Sequence, residues 1–303
     1  MKNPGWVDLQ VNGHHGVDFN SPELTEDQFL RAAEELLEAG TAVFLPTLIT
    51  GPMELYRRNS QVIRRAVERG GLQKAVPGLH LEGPFLSGRG IGSHNPQWLQ
   101  LPTRDSLCAL HEATGGFIRL LTMSAESPSL AEGIHAAREL GIHVSVGHHM
   151  AGYAQVRAAA DAGAKALTHL GNACPNLVGR HENPLLAGLA EDRLTAMVIS
   201  DGHHLPPELL RIILKVKGPR KVIVTSDASD ATGMPPGPIR ILGNDAILEP
   251  SGRLYNPEKQ CLVAAACTMQ RCMDFLESLN LLTEEELLWV GRENALRLLK
   301  EKP

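Results

Sequence analysis

The segment HVSVGHHMAGYAQVRAAADAGAKALTHLGN, residues 143–172, contains two apolar runs of strand length separated by a helix-like segment. The runs are 143–149 and 164–172, and the segment between them, 152–163, closes on Gly163. A glycine just after a helical pattern is a common helix C-cap. Two strands joined through a helix run parallel to each other, so this segment predicts one β–α–β unit of a parallel sheet.

The same alternation extends in both directions along the chain. Eight strand candidates are short and apolar through their length: 6–13, 42–49, 75–83, 117–123, 143–149, 164–172, 194–202 and 221–228. In the first helical segment, Thr25 precedes Gln28 by three residues and Gly40 follows, which predicts a capping box and a C-cap. Eight buried parallel strands predict a (β/α)8 TIM-type barrel, one domain over residues 1–303. A doubly wound open sheet is the alternative, although 11–16, VNGHHG, lacks its GxGxxG fingerprint.

The strand–helix rhythm breaks after Gly237. Residues 239–263 alternate in polarity and turn at Pro-Ser-Gly, which predicts an inserted β-hairpin. Two helical patterns follow, at 267–279 and 283–300. We therefore predict that the last barrel strand is followed by a hairpin and two helices.

The composition narrows the class of protein. A formal net charge of −5 argues against a nucleic-acid binder, which would carry a basic face. The apolar runs are far shorter than the roughly 20 residues of a membrane span, and the N-terminus lacks the apolar core of a secretory signal. Five cysteines without CxxC spacing are typical of reduced thiols. These features predict a cytoplasmic protein that binds neither nucleic acid nor membrane.

Polar side chains stand at the C-terminal ends of the predicted strands, where barrel active sites lie. Glu82, His148 and His169 come from three different strands. Burying a carboxylate and two imidazoles together is costly unless they share a partner, and one metal ion would partner all three. Such a set with an open position suits catalytic zinc, whose bound water has a pKa of about 7. Asp227, at the end of the last strand, is then placed to accept and return a proton.

Seven motifs together resemble the N-acetylglucosamine-6-phosphate deacetylase family of the amidohydrolase superfamily. They are DLQVNG (8–13), HLEGPFL (80–86) with SHNP (93–96), VSVGHH (144–149), THLGNACPN (168–176), GR (179–180) with LLAGLA (185–190), ISDGHH (199–204) and TSDASDATGMPPG (225–237). Each motif alone is weak, but the ordered set is specific. The resemblance covers the chain from about residue 5 to 300.

The resemblance implies roles for individual residues. It makes Glu82, His148 and His169 the metal ligands and Asp227 the catalytic acid/base. It also implies a substrate-binding set: His94, Asn172, Ala173, Arg180, His204, Leu262, Val263 and Ala264. Within that set His94 would lie near the acetyl group, and Arg180 and His204 would reach a phosphate. Adjacent strand residues point to opposite faces, so only one histidine of the pair His148–His149 and one of the pair His203–His204 should face the mouth. We expect these to be His148 and His204.

Many superfamily members carry a His-x-His motif that brings a second metal, whereas this chain has Gln10 and Asn12. We therefore expect one divalent metal per chain, zinc, with iron, manganese or cobalt as alternatives. The alternative, purely structural role of the two amides is hydrogen bonding to the metal-site histidines.

Three departures from the family pattern stand out. The chain begins close to the first barrel strand, so we expect it to lack most or all of the family's small β-sandwich. Ala264 stands where the family has a glycine, and Gly tolerates backbone conformations that Ala does not. Cys174 and His181 are unusual at their positions.

The resemblance implies metal-dependent hydrolysis of the N-acetyl group of an amino sugar 6-phosphate by a homodimer. N-Acetylglucosamine-6-phosphate and water would give glucosamine-6-phosphate and acetate. The alternatives are deacylation of another N-acyl sugar or N-acyl amino acid, and a non-catalytic barrel that binds a sugar phosphate. Arg180 favours a phosphate because guanidinium binds that group bidentately, and a weak surface pair with Glu182 is its alternative role.

Overall fold

The computed structural model describes residues 4–174 and 177–303. Its strands, in chain order, are β1 Trp6–Val11, β2 Gly13–His14, β3 Val17–Asp18, β4 Thr41–Ile49, β5 Leu79–Glu82, β6 Ile118–Met123, β7 His143–Val146, β8 Ala166–Leu167, β9 Thr195–Val198, β10 Val222–Val224, β11 Gly237–Ile241, β12 Asn244–Leu248, β13 Leu254–Asn256 and β14 Cys261–Leu262. Its α-helices are α1 Glu26–Glu38, α2 Met53–Arg69, α3 Arg104–Ala113, α4 Leu130–Glu139, α5 Tyr153–Ala162, α6 Pro184–Ala190, α7 Pro207–Lys217, α8 Met269–Ser278, α9 Glu284–Leu288 and α10 Asn294–Lys300.

Eight strands form one parallel sheet in the order β1-β4-β5-β6-β7-β8-β9-β10. The order follows the chain without reversal, so the doubly wound alternative is wrong and the predicted (β/α)8 barrel is confirmed. Parallel bridging of Val11 to Ala228, just beyond β10, brings the two edge strands together. Asp8 of β1 reinforces this junction, because its Oδ1 accepts hydrogen bonds from Thr225 Oγ1 at 2.7 Å and Ser226 N at 3.1 Å.

Apolar side chains fill the barrel and the layer around it. The inner cluster includes Val7, Leu9, Leu45, Leu120, Met197 and Ile223, and α10 closes it with Ala295 and Leu298. A larger cluster lies between the strands and the surrounding helices. Burial of this kind contributes about 25 cal/mol per Å² of apolar surface, which stabilises the barrel that carries the residues at its mouth.

Local sequence signals account for helix boundaries. Thr25 caps α1, and Gln28 returns the hydrogen bond to the Thr25 backbone, as the capping-box spacing predicts. Ala39 is the C-cap, and Gly40 follows it with φ of 95°. The pattern 283–300 predicted one helix, but the structure has α9 and α10 joined by a π-helical turn, Trp289–Glu293.

The segment predicted as a hairpin over 239–263 is a four-stranded antiparallel sheet, in the order β11-β12-β13-β14. Of the three turns of this sheet, the Pro-Ser-Gly turn was predicted, whereas the Leu242–Gly243 turn and the turn after Asn256 were not. There the Asn256 side chain accepts hydrogen bonds from the backbone N–H groups of Glu258 and Lys259, at 2.9 Å each. We call β11–β14 the small sheet. Its own apolar cluster contains Ile241, Leu248 and Leu254.

Among the residues that the structure describes, no helix is both long and apolar enough to cross a membrane.

Candidate metal centre and active-site cavity

Two histidines and an aspartate of the predicted site lie just beyond their strands, whereas Glu82 is the last residue of β5. His148 follows the end of β7 by two residues, and His169 follows the end of β8 by two. Both have positive φ angles, 52° and 29°, as does Asp227, 53°. The left-handed region is disfavoured for residues with a Cβ and persists where surrounding structure enforces it, often at functional sites.

Glu82, His148 and His169 form a buried cluster whose ligand atoms all lie within 4.8 Å of one another. Glu82 Oε1 is 3.0 Å from His148 Nε2 and 2.8 Å from His169 Nε2, and the two nitrogens are 3.2 Å apart. The three residues reach this point from the ends of β5, β7 and β8. In residues 4–174 and 177–303, this is the one group of three or more such side chains close enough to share a metal.

The spacing of these atoms fits a divalent cation. Two ligands about 2.0–2.1 Å from a tetrahedral zinc lie roughly 3.3 Å apart, close to the observed 3.2 Å between the imidazole nitrogens. One carboxylate and two imidazoles are also a donor set suited to catalytic zinc and to other first-row metals. Glu82, His148 and His169 could therefore hold one metal ion.

Neighbouring groups orient the cluster. Gln10 Nε2 donates to Glu82 Oε1 at 2.9 Å, and the Gly90 carbonyl lies 3.0 Å from His148 Nδ1. Burial opposes ionisation of Glu82, but the charge of His148 and the hydrogen bonds from the histidines hold the pKa of Glu82 well below its usual range. An ionised Glu82 is the form that binds a cation.

Asp227 lies across the mouth, buried, and its Oδ1 accepts a hydrogen bond of 2.7 Å from Asn12 Nδ2. The amides of residues 10 and 12 thus bond the carboxylates, Glu82 and Asp227. The alternative role, hydrogen bonding to the metal-site histidines, is not what the amide nitrogens do. Burial, and then the charge of Glu82, raise the pKa of Asp227 to about 8. A cation at the cluster would oppose this rise, because it neutralises the Glu82 charge.

The loop from Gly83 to Pro96 carries His94 over the cluster. Gly83 has φ of 95°, and a Cβ on Gly90 would lie 2.4 Å from the backbone of His149, so the chain passes too close for any other residue there. His94 is buried, with Nε2 3.5 Å from Glu82 Oε2. Its ring meets that of His148 edge to face, with centroids 4.5 Å apart.

These residues border a cavity of about 820 Å³ at the barrel mouth, within the size range of small-molecule sites. The predicted residues that line it are Glu82, His94, His148, His169, Asn172, Ala173, His204, Asp227, Leu262 and Ala264. Ala264 has φ of 49°, so the chain keeps a glycine-like conformation with an alanine there. Asn172 is tied to the cluster through Nδ2, which donates to the His169 carbonyl at 3.2 Å.

Two predicted substrate residues lie elsewhere. Arg180 is exposed and is not part of the cavity lining. Glu182, its expected partner, instead lies 3.2 Å from Arg89. Val263 packs in the small sheet's apolar cluster, while Leu262 and Ala264 on either side line the cavity.

The histidine pairs behave differently from each other. His149 lies outside the cluster, and its Nδ1 accepts a hydrogen bond from Ala151 N at 3.1 Å. His203 and His204 both line the cavity, so the expectation that one would face away was wrong. They follow β9 by five and six residues, and strand alternation does not apply in that loop. Asp201 holds His204, with Oδ2 2.7 Å from Nδ1.

Of the two unusual residues, Cys174 lines the cavity and His181 is exposed. Pro175 and Asn176, which end the THLGNACPN motif, lie outside the described residues.

The small sheet provides a cavity wall that the sequence did not predict. Arg253, Tyr255 and Lys259 line the cavity from that side, and Arg89 does so from the loop that carries His94. The Arg253 guanidinium stacks 4.1 Å from the Tyr255 ring centroid. Arg253 and Lys259 shortly precede Leu262 in the sequence, and this closeness could have indicated that they line the same cavity.

A (β/α)8 barrel whose strand ends bring a carboxylate, two imidazoles and a further buried carboxylate into one cavity defines a hydrolase of the amidohydrolase type. No family model matches the chain. It is 34% identical over 282 residues to the N-acetylglucosamine-6-phosphate deacetylase of Danio rerio, covering 89% of this chain and 68% of the relative. It is 30% identical to the N-acetylgalactosamine-6-phosphate deacetylase of Escherichia coli O157:H7, covering 80% and 63%.

A solved structure has the same fold. A mutant N-acetyl-D-glucosamine-6-phosphate deacetylase of Mycobacterium smegmatis, in complex with N-acetyl-D-glucosamine-6-phosphate, matches with a TM-score of 0.89 and 28% identity, covering 98% of this chain and 77% of that one. The chain belongs to the N-acetylglucosamine-6-phosphate deacetylase family of the amidohydrolase superfamily. It spans 68% and 63% of the length of the two relatives above.

Proposed function

We propose that the chain hydrolyses the N-acetyl group of an amino sugar 6-phosphate, using one divalent cation, zinc, held by Glu82, His148 and His169. The substrate would be N-acetylglucosamine-6-phosphate, giving glucosamine-6-phosphate and acetate. The observation that carries the proposal is the buried Glu82–His148–His169 cluster facing the same 820 Å³ cavity as Asp227. The proposal of one metal and not two is supported by Gln10 and Asn12. Their amide nitrogens donate hydrogen bonds to the carboxylates of Glu82 and Asp227.

The residues of the chain divide the chemistry among them. A bound cation would polarise the acetamide carbonyl and lower the pKa of the attacking water. Asp227 would take a proton from that water and return it to the leaving amine nitrogen as the C–N bond breaks. Asn12, at 2.7 Å, holds the Asp227 carboxylate in place for both transfers. His94 would contact the substrate near the acetyl group.

The E. coli relative that is named for the galactosamine epimer supports a second candidate, N-acetylgalactosamine-6-phosphate. The two sugars differ at one hydroxyl, which leaves the acetamide chemistry unchanged. An amine-release assay over both epimers, each with and without the phosphate, tests the proposal. Release from the phosphorylated glucosamine derivative in preference to the other three supports it. Equal or greater release from the galactosamine epimer supports the second candidate.

We also propose that the protein is a cytoplasmic homodimer. Leu177 is 92% exposed, and Leu186 on α6 is 51% exposed. On neighbouring α7, Ile212 and Val216 are 48% and 52% exposed. Exposed apolar surface of this kind favours association. In a dimer, Arg180 of one copy would contact a phosphate in the cavity of the other. Within one copy, the loop that carries Arg180 would have to move toward the cavity. Five free cysteines support a reducing compartment.

A further inference from the structure

The small sheet is fastened to the loop that carries His94 through one backbone carbonyl, that of Ser93. Asn244 Nδ2 donates to this oxygen at 3.2 Å, and Lys259 Nζ donates to it at 3.2 Å. Lys259 Nζ also donates to Asn244 Oδ1 at 2.7 Å. We call these two residues the Ser93 clamp. A carbonyl oxygen has two lone pairs, and the clamp supplies two donors.

Two turns of the small sheet hold the clamp in position. Leu242 and Gly243 form the two-residue turn between β11 and β12, with φ of 48° and 77°, and Asn244 follows directly. Asn244 Nδ2 also donates to the Leu242 carbonyl at 3.0 Å, so its amide cannot rotate freely. Asn256 fixes the turn that bears Lys259 through the backbone of that residue.

The Ser93 carbonyl belongs to the peptide unit that leads into His94. The N–H of the same unit donates to the Ile91 carbonyl at 3.2 Å. The peptide plane is therefore held at its carbonyl by the clamp and at its N–H by the loop. Because this plane is rigid, its orientation sets the direction in which His94 leaves the chain. His94 Nε2 then lies 3.5 Å from Glu82 Oε2.

We propose that Asn244 and Lys259 are positioning residues that act through Ser93 to hold His94 over the metal centre. The functional part of this inference rests on the proposed deacetylation. A displacement of about 1 Å in a site of this kind can cost on the order of 10²-fold in rate. We expect Lys259→Met and Asn244→Leu to lower kcat/KM about 10- to 100-fold through kcat, with metal content unchanged. Lys259 is exposed, so its variant leaves the buried core intact.

A second lysine-to-carbonyl hydrogen bond, far from the cavity, provides the control. Lys221 Nζ donates to the Arg193 carbonyl at 2.9 Å, at the opposite end of the barrel strands. Lys221→Met removes a lysine-to-carbonyl bond far from the mouth and should leave activity unchanged.

Three measurements test the clamp. In a His94→Asn background, Lys259→Met should cause no further loss, because both act through one side chain. The loss should be equal for phosphorylated and unphosphorylated substrate. Hydrogen–deuterium exchange of residues 87–96 should quicken in both clamp variants and not in Lys221→Met. Additive losses, a loss confined to the phosphorylated substrate, or unchanged exchange in residues 87–96 would overturn the proposal.

The exchange measurement needs no substrate. If the wild-type protein binds metal but releases no amine, the proposed function fails, and the exchange result alone decides whether the clamp holds the loop.

Discussion

Asn12 Nδ2 lies 2.7 Å from Asp227 Oδ1, a hydrogen bond that joins the region just beyond the first barrel strand to the region just beyond the last. Asp227 is buried and lines the cavity, and Asn12 holds one oxygen of its carboxylate. Burial and the charge of Glu82 raise the pKa of this carboxyl to about 8. The acid/base role proposed for Asp227 depends on this local environment.

Replacing Asp227 by Asn should abolish proton transfer while keeping the shape of the side chain. General acid–base groups contribute typically ~10²–10⁴-fold in rate, so we expect kcat to fall by that factor. Elemental analysis should show unchanged metal content, because Asp227 is not in the Glu82–His148–His169 cluster. Near-wild-type turnover with metal bound would show that another group moves the proton.

Asn12→Leu should lower kcat by a smaller factor, since it removes the donor to Asp227 and leaves the carboxylate present. A lost hydrogen bond to a charged group costs about 1.5–3 kcal/mol, which corresponds to roughly 10- to 100-fold. Steady-state kinetics of the metal-loaded variant measure this. If Asn12→Leu is as damaging as Asp227→Asn and also loses metal, residue 12 belongs to the metal centre itself.

His169→Asn and Glu82→Gln should each lose the bound metal, because each removes one of three ligands. A ligand that binds only the folded state raises Tm. Added divalent metal should therefore raise the Tm of the wild-type protein but not that of either variant. His135→Asn, an exposed histidine on α4, is the matched control and should keep both metal and activity. Two tightly bound metals per wild-type chain would contradict the single-metal proposal.

Arg180→Ala tests recognition of the phosphate. Loss of a bidentate phosphate contact should lower kcat/KM for the phosphorylated sugar by about tenfold or more, at ~1.4 kcal/mol per tenfold, and leave the unphosphorylated sugar unaffected. Arg253→Ala is the comparison, because Arg253 lines the cavity. If only Arg253→Ala gives the phosphate-specific loss, the small sheet supplies the phosphate contact and Arg180 does not.

Asp230 gives a prediction about stability and pH. Burial, and then the carboxylate of Asp18, raise the pKa of Asp230 to about 7. An unfolded Asp has a pKa of about 3.9, so between about pH 4 and pH 7 the folded state binds more protons than the unfolded state. Raising the pH through this window therefore lowers the free energy of unfolding.

Asp230→Asn removes this titration. Its Tm relative to wild type should be higher at about pH 8 than at about pH 4.5, measured by calorimetry. Asp245→Asn, at an exposed position on β12, is the control. The same Tm difference at both pH values would contradict the raised pKa.

The strand pattern was sufficient to predict the barrel because each apolar run is buried on both faces, whatever its neighbours. It could not predict where the strands end. β8 has two residues, and His169 lies beyond it in a left-handed conformation that hydrophobic periodicity does not encode. The convergence of Glu82, His148 and His169 was predictable because these are the costly groups to bury together.

The missing parts depend on contacts between distant segments. Lys259 and Ser93 are 166 residues apart, and a solvated charge in a turn looks the same in sequence as one that reaches a loop across the cavity. The small sheet was predicted as a hairpin because only its Pro-Ser-Gly turn was recognised. The Leu242–Gly243 turn and the turn after Asn256, which the Asn256 side chain holds, were missed. Arg180 lies outside the cavity, a placement that depends on how the loop before α6 folds.

The most direct test of the account is amine release from N-acetylglucosamine-6-phosphate by the purified, metal-loaded protein. The account predicts glucosamine-6-phosphate and acetate in equal amounts, loss of activity after chelation, and recovery with one equivalent of a divalent metal per chain. A fully metal-loaded protein that binds the sugar phosphate but releases no amine from it or from its epimer would contradict the account.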